Sequence, residues 1–89
     1  MATLGETVDS TTWINIVSSL SLVVDQAYTL QNVGPTTLLL SEQTSTPISG
    51  TPFHEVGPGE TKGVAPATGL GIWIQSRYAS TTIAITEAD

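Results

Sequence analysis

The chain has 89 residues, no cysteine and only 11% charged residues, and its two basic side chains, Lys62 and Arg77, stand against eight acidic ones. This length predicts one small domain with a limited core, and the lack of cysteine excludes disulfides and thiolate metal sites. Two cations cannot form a basic patch, no apolar run approaches the ~20 residues of a membrane span, and the N-terminus has no signal-peptide pattern. We therefore expect neither nucleic-acid nor membrane binding, and synthesis in a cytoplasm without export by a signal peptide.

In the first half of the chain, short alternating runs of apolar and polar residues predict strands and no helix. Residues 1–10 are expected to form an extended N-terminal arm, and 11–89 a single β-domain. Four strands are predicted here, over Thr12–Ile16, Leu20–Val24, Ala27–Gln31 and Thr36–Glu42. In the last of them Leu39 lies opposite Leu38 and Leu40, which indicates a strand that is covered on both faces.

The second half contains stronger turn signals. Gln43–Pro52, with two prolines and a glycine, is predicted to be a long loop. Phe53–Val64 is predicted to be a hairpin around "GPGE", in which Gly59 takes the positive φ that a type II turn requires. The loop Ala65–Gly71 follows, and "IWIQS" and "TTIAIT" form two closing strands joined by "RYAS". About seven short strands predict an all-β fold, a small antiparallel β-sandwich or barrel.

Residues that could carry catalysis are sparse. His54 is the sole histidine, and although Glu55 and Glu60 could add carboxylate ligands, neighbours on a strand point to opposite faces. Ser10, His54 and Asp25 offer the residue types of a catalytic triad, but no nucleophile-elbow sequence surrounds any serine. We therefore expect no enzymatic activity, no metal and no cofactor.

The aromatic residues point instead to an interface. In "TWINI" and "GIWIQ" each tryptophan lies on the face opposite two isoleucines, so the tryptophans face outward if the isoleucines fill the core. Trp, Tyr and Arg are the residues that most often anchor protein interfaces. The alternatives are a sandwich with swapped or internally covered faces, or an aromatic platform for carbohydrate or peptide. The candidate interface residues are Trp13, Leu39, Trp73, Arg77 and Tyr78.

The edges of the predicted sheets lead to the same expectation. Isolated β-domains protect edge strands with lysines, prolines and inward-pointing charges, and this chain has one lysine. The composition therefore favours a subunit of an assembly.

The order of motifs also resembles a known family. The segments "TTWINI", "LVVDQAYTLQNVGPTTLLLSEQTSTP", "FHEVGPGETKGVAP" and "GIWIQSRYASTTIAITEA" follow one another from about Trp13 to Ala88. This succession is similar to that of small β-rich virion proteins of tailed bacteriophages and prophages. The resemblance implies a structural part of the virion and marks turns and strands, so no residue role is carried over from it.

Within that family the resemblance leads us to expect a capsid decoration (cement) protein. Such a protein binds the outer capsid surface and stabilises the head. The expected partners are the major capsid protein or other virion proteins, and we expect a homo-oligomer, with a trimer favoured. The alternative is a neck, tail or fibre component that acts as a protein- or glycan-binding module. Either location is in the virion.

Overall fold

The computed structural model describes residues 3–47 and 53–87. In this part of the chain, eight strands and one short helix follow one another: β1 (Thr3–Val8), β2 (Ile14–Asn15), α1 (Ile16–Ser19), β3 (Tyr28–Asn32), β4 (Leu38–Gln43), β5 (His54–Val56), β6 (Thr61–Val64), β7 (Gly71–Ser76) and β8 (Thr81–Glu87). They form two antiparallel sheets. Sheet 1 has the order β1-β8-β3-β6, and sheet 2 has the order β2-β7-β4-β5. The two sheets pack together without closing into a barrel, which confirms the predicted all-β fold and shows that it is the sandwich and not the barrel.

The strand pairing is that of a long ribbon folded back on itself. β1 pairs with β8, β2 with β7, β3 with β6, and β4 with β5. Two further pairings, β3 with β8 and β4 with β7, roll the ribbon into the two sheets. This is the eight-stranded jelly-roll arrangement. Because nearly every connection crosses from one sheet to the other, each sheet contains strands from both halves of the chain.

The core lies between the inner faces of the two sheets. Alternation along each strand sends one set of side chains inward, and most of the buried ones are aliphatic. Those that are at most 2% exposed are Val8, Ile16, Leu30, Leu38, Leu40, Val56, Ile72, Ile74, Ile83 and Ile85. The isoleucines of β7 thus point inward, as the interface hypothesis requires.

Two of the predicted strands are wrong in whole or in part. Thr12–Ile16 is a strand only at Ile14–Asn15, because the Asn15 side chain accepts a hydrogen bond from the Val17 N–H (3.1 Å) and caps helix α1. The segment Leu20–Val24 is a turn and loop. Ser21 has a φ of 53°, a left-handed conformation that cannot continue a strand.

The predicted hairpin over Phe53–Val64 is also wrong, although its turn is correct. Gly59 has a φ of 82°, and the Glu60 N–H donates to the Gly57 carbonyl (2.9 Å), as expected for a type II turn. However, β5 belongs to sheet 2 and β6 to sheet 1. Type II turns splay the strands that they join, so "GPGE" forms an arch between the sheets.

The remaining elements agree more closely with the sequence. Predicted strands match β3 and β4 to within two residues at each end, and both closing strands are present as β7 and β8. Within the predicted N-terminal arm, Thr3–Val8 is extended and pairs with β8 along its length. Of the predicted loop Gln43–Pro52, residues 48–52 lie outside the described residues.

The edge strands carry their own protection. On β1, Glu6 pairs with the buried Ile83, and on β6, Lys62 pairs with the buried Leu30, so both charged side chains start on the inner face. The other two edges, β2 and β5, have only two and three residues. Inward charges and short strands both discourage edge-to-edge pairing. The described edge strands therefore carry protection that the single lysine did not reveal, and the expectation that they meet a partner stays a prediction.

A buried asparagine joins the two sheets. The Asn32 side chain, which is fully buried at the end of β3, accepts hydrogen bonds from Thr81 Oγ1 (2.8 Å) and the Gly34 N–H (3.1 Å). Its amide group donates to the carbonyls of Thr36 (2.6 Å) and Val56 (2.8 Å). Val56 is in sheet 2, whereas Asn32 and Thr81 are in sheet 1. All four hydrogen-bonding positions of the amide are thus occupied.

The turn after Asn32 requires a glycine at position 34. A Cβ atom there would lie 2.0 Å from Thr81 Oγ1 and 2.5 Å from the Thr82 nitrogen. We expect Gly34→Ala to lower the free energy of unfolding by at least about 2 kcal/mol, because β8 must move away. The matched control is Gly63→Ala, where a Cβ meets nothing within 4 Å, with an expected change within about 0.5 kcal/mol. Urea unfolding measures both, and equal effects would contradict this account of Gly34.

Candidate functional site

The outer face of sheet 2 carries most of the candidate interface residues. On β7, Trp73 pairs with Asn15 of β2 and with Ser41 of β4, so these three side chains form one row on that face. In the next row Leu39 pairs with Gln75. The sequence assigned both tryptophans and Leu39 to this face, and the buried Ile72 and Ile74 on the opposite side of β7 agree with that assignment.

The indole of Trp73 is held in one orientation. The side chain is half-buried, and its Nε1–H donates to the Gln43 carbonyl (3.2 Å) at the end of β4. A Cβ atom on Gly71 would lie 2.7 Å from Nε1, so the ring rests over a position where only glycine leaves room. Trp73 is thus a fixed aromatic surface and not a freely rotating side chain.

Hydrogen bonds from Asp9 shape the loop that leads to Trp13. The Asp9 carboxylate accepts the N–H groups of Thr11 and Thr12, both at 3.0 Å, and these bonds, that of Thr11 first, lower the pKa of Asp9. The Asp9 carbonyl also accepts the Ser76 N–H (3.0 Å), which ties the loop to the end of β7. Trp13 follows and is half-buried. It precedes β2, where Ile14 packs against the core, so we expect Trp13 to face outward with Asn15.

Leu39 lies on the outer face but is only 9% exposed. The Arg77–Glu55 ion pair spans β4, the strand that contains Leu39, with Arg77 Nη1 2.5 Å from Glu55 Oε1. Arg77 follows β7, Glu55 belongs to β5, and β4 with Leu39 lies between them. Leu39 is therefore not an exposed anchor. The sequence prediction that its strand is covered on both faces is correct.

Arg77 and Tyr78 occupy the turn between β7 and β8. Glu55 raises the pKa of Arg77 further above its ordinary value, so the guanidinium stays charged. Its Cζ lies 5.9 Å from the centre of the Tyr78 ring, and Tyr78 is 70% exposed. A hydroxyl contact between Thr36 and Ser76 (2.7 Å) ties this turn to the one before β4. Tyr78 is thus an exposed aromatic side chain on a well-anchored loop.

Gln75 is the residue that the interface hypothesis left out. It is half-buried on the same face as Trp73, two residues away, and its amide has no hydrogen-bond partner among the described residues. The signal was present in the sequence, since alternation already placed Gln75 beside Trp73. The outer face of sheet 2 therefore offers two indoles, the amide of Gln75 and the Arg77–Glu55 ion pair, whose opposite charges cancel.

Across residues 3–47 and 53–87, no three His, Asp or Glu side chains are grouped so that they could hold a metal ion. Over the same ranges, no helix has the length and apolar character to cross a membrane.

Comparisons with protein-family models, curated proteins and solved structures find no match to this chain.

The two faces of β7 should respond differently to substitution. Ile74→Ser places a hydroxyl and a cavity in the core, with an expected loss of about 4 kcal/mol in the free energy of unfolding. Trp73→Ser removes a half-buried side chain from the surface and should cost only about 1 to 2 kcal/mol. Thermal or urea unfolding tests this pair. An equal or larger loss for Trp73→Ser would show that the indole is part of the core.

Proposed function

We propose that this chain is a structural protein of a tailed-phage virion. It acts as a capsid decoration protein that binds the outer capsid surface and stabilises the head. It is not an enzyme, and its partners are the major capsid protein or other virion proteins. The observation that carries the proposal is the fixed, half-exposed indole of Trp73 on the outer face of sheet 2.

A fixed aromatic side chain is suited to anchor a protein contact. Burying a mobile side chain at an interface costs conformational entropy, whereas the hydrogen bond to Gln43 and the space over Gly71 already restrict Trp73. Trp13 lies on the same face, and Tyr78 extends from the adjoining loop. Tryptophan, tyrosine and arginine dominate binding energy at protein interfaces.

Charge also favours contact through this face. The chain has a net charge of −6, so most approaches to another acidic surface are repulsive. Glu55 is the carboxylate that the described strands of sheet 2 direct to this face, and Arg77 neutralises it. The outer face of sheet 2 can therefore dock with little electrostatic cost.

The architecture is compatible with this role without defining it. Jelly rolls occur in viral capsid proteins and in lectins, and one fold serves many functions. The motif order resembles that of tailed-phage virion proteins, and this favours a role in the virion over a lectin-like role.

Stabilisation of the head follows from mass action. A protein that binds only the assembled shell stabilises it by RT ln(1 + [L]/Kd) per site, which is about 2.7 kcal/mol at a free concentration of 100 Kd. A homo-oligomer, which we propose to be a trimer, would bridge neighbouring capsid subunits.

Co-sedimentation with empty heads of the phage or prophage that encodes the chain tests the proposal. We expect the purified chain to sediment with the heads. Trp73→Ser should weaken binding by roughly thirtyfold, the loss typical of a central aromatic anchor. Leu4→Ser is the matched control, because Leu4 is an exposed apolar residue of sheet 1 (36% exposed), and it should bind like the wild type.

Two outcomes would contradict the proposal. One is no binding of the wild-type chain to heads at saturating concentration. The other is equal loss of binding in Trp73→Ser and Leu4→Ser, which would show that the contact does not depend on the outer face of sheet 2. Sedimentation velocity of the free chain separately measures the number of subunits in the oligomer.

A glycan-binding module of a neck, tail or fibre is the second candidate. The observation that favours it is the free amide of Gln75, which lies beside Trp73 and on the same face as Trp13. An aromatic ring combined with a hydrogen-bonding amide can stack on a neutral sugar and contact its hydroxyls. Titration with neutral oligosaccharides, monitored by tryptophan fluorescence, separates the candidates, because a decoration protein should show no saturable change.

A further inference from the structure

A cavity of about 330 Å³ lies at the open side of the sandwich, away from the tryptophans. It is bounded by the edge strand of each sheet, β5 from sheet 2 and β6 from sheet 1. This volume is at the lower end of the range for ligand pockets, enough for a group the size of one side chain. The lining residues are His54, Glu55, Val56, Glu60, Thr61 and Lys62.

Two basic side chains converge on this cavity from opposite sheets. His54 pairs with Leu40 in sheet 2, and Lys62 pairs with Leu30 in sheet 1. Both leucines are fully buried, so both basic side chains start on inner faces and point toward the gap between the sheets. The chain has one lysine, one arginine and one histidine, and two of these three side chains line the cavity.

Neither basic group is neutralised by direct contact, whereas the carboxylates nearby have other partners. Within residues 3–47 and 53–87, His54 and Lys62 make no side-chain hydrogen bond or ion pair. Glu55 is paired with Arg77, and Glu60 Oε1 accepts the Gly57 N–H (2.5 Å). The ammonium of Lys62 therefore remains available to an incoming anion.

We propose that this cavity binds a single carboxylate presented by an acidic segment of another protein chain. Lys62 supplies the charge, His54 supplies a hydrogen-bond donor, and Val56 forms an apolar floor. A carboxylate fits better than a phosphate. Glu60 lines the site, and Glu42 lines a second cavity that shares His54, so a dianion meets greater repulsion.

Amide NMR of the full chain tests the proposal with a capped Ala-Glu-Ala peptide as the probe. We expect saturable shifts in His54–Val56 and Thr61–Val64, and no such shifts with capped Ala-Gln-Ala. Lys62→Gln should weaken binding at least about fivefold, and Lys62→Arg should retain it, because the charge remains. Thr82→Glu is the control, since it makes the net charge more negative by the same amount on the opposite face of sheet 1.

Each other outcome has a definite meaning. Equal shifts with the glutamine peptide, stronger binding of inorganic phosphate, or no shift at about 50 mM peptide would overturn the proposal. Loss of binding in Thr82→Glu as large as in Lys62→Gln would reduce it to an effect of net charge. If dilution of the chain alone moves the same amides, a second copy supplies the carboxylate. If dilution leaves them unchanged, the carboxylate comes from a different protein. A negative result in the co-sedimentation test of the Trp73 face would leave this peptide-binding test unaffected.

Discussion

The four hydrogen bonds of the Asn32 side chain hold the sandwich together at one end. They connect β3 and β8 of sheet 1 to β5 of sheet 2 and to the turn that carries Thr36. The backbone of Asn32 extends this connection, because its carbonyl accepts the Gly59 N–H (2.7 Å) from the "GPGE" arch. A buried amide with any of these partners missing would leave polar groups unsatisfied, at about 1 to 3 kcal/mol each. The arch, the turn at Gly34 and the start of β8 therefore form one unit.

The hydrogen-bonded region around Asn32 fixes how the two sheets pack, and this packing determines which side chains lie on each outer face. β7 lies in the middle of sheet 2, with β2 on one side and β4 on the other, so Trp73 stands near the centre of a face and not at its edge. Gly71, Asn15 and the end of β4 each take part in positioning the indole or its row. The outer face of sheet 1 differs, since its described positions are mainly threonine, glycine and alanine. Only one of the two faces thus has the chemistry of an anchored contact.

The two proposed binding regions use different physics. The outer face of sheet 2 is aromatic and electrically balanced, so its contacts depend on buried area and preorganisation. The cavity between β5 and β6 depends on charge, because it gathers Lys62 and His54 in a chain that is otherwise acidic. Salt should weaken binding at the cavity more than at the tryptophan face. Lys62, which points inward from the edge strand β6, can both discourage edge-to-edge pairing and bind an anionic ligand.

Local sequence patterns were enough to predict the fold class, the type II turn at Gly59, the inward isoleucines of β7 and the tryptophan face. All of these depend on the two-residue period of a strand or on the φ of one glycine, which are local properties. Long-range packing, in contrast, places β5 and β6 in different sheets, covers Leu39, and brings His54 and Lys62 to one cavity. Those facts depend on partners distant along the chain, such as Arg77 for Glu55 and Leu30 for Lys62. The helix at Ile16–Ser19 was not predicted, although its cause is local. The Asn15 cap outweighed a strand-like pattern only a few residues long.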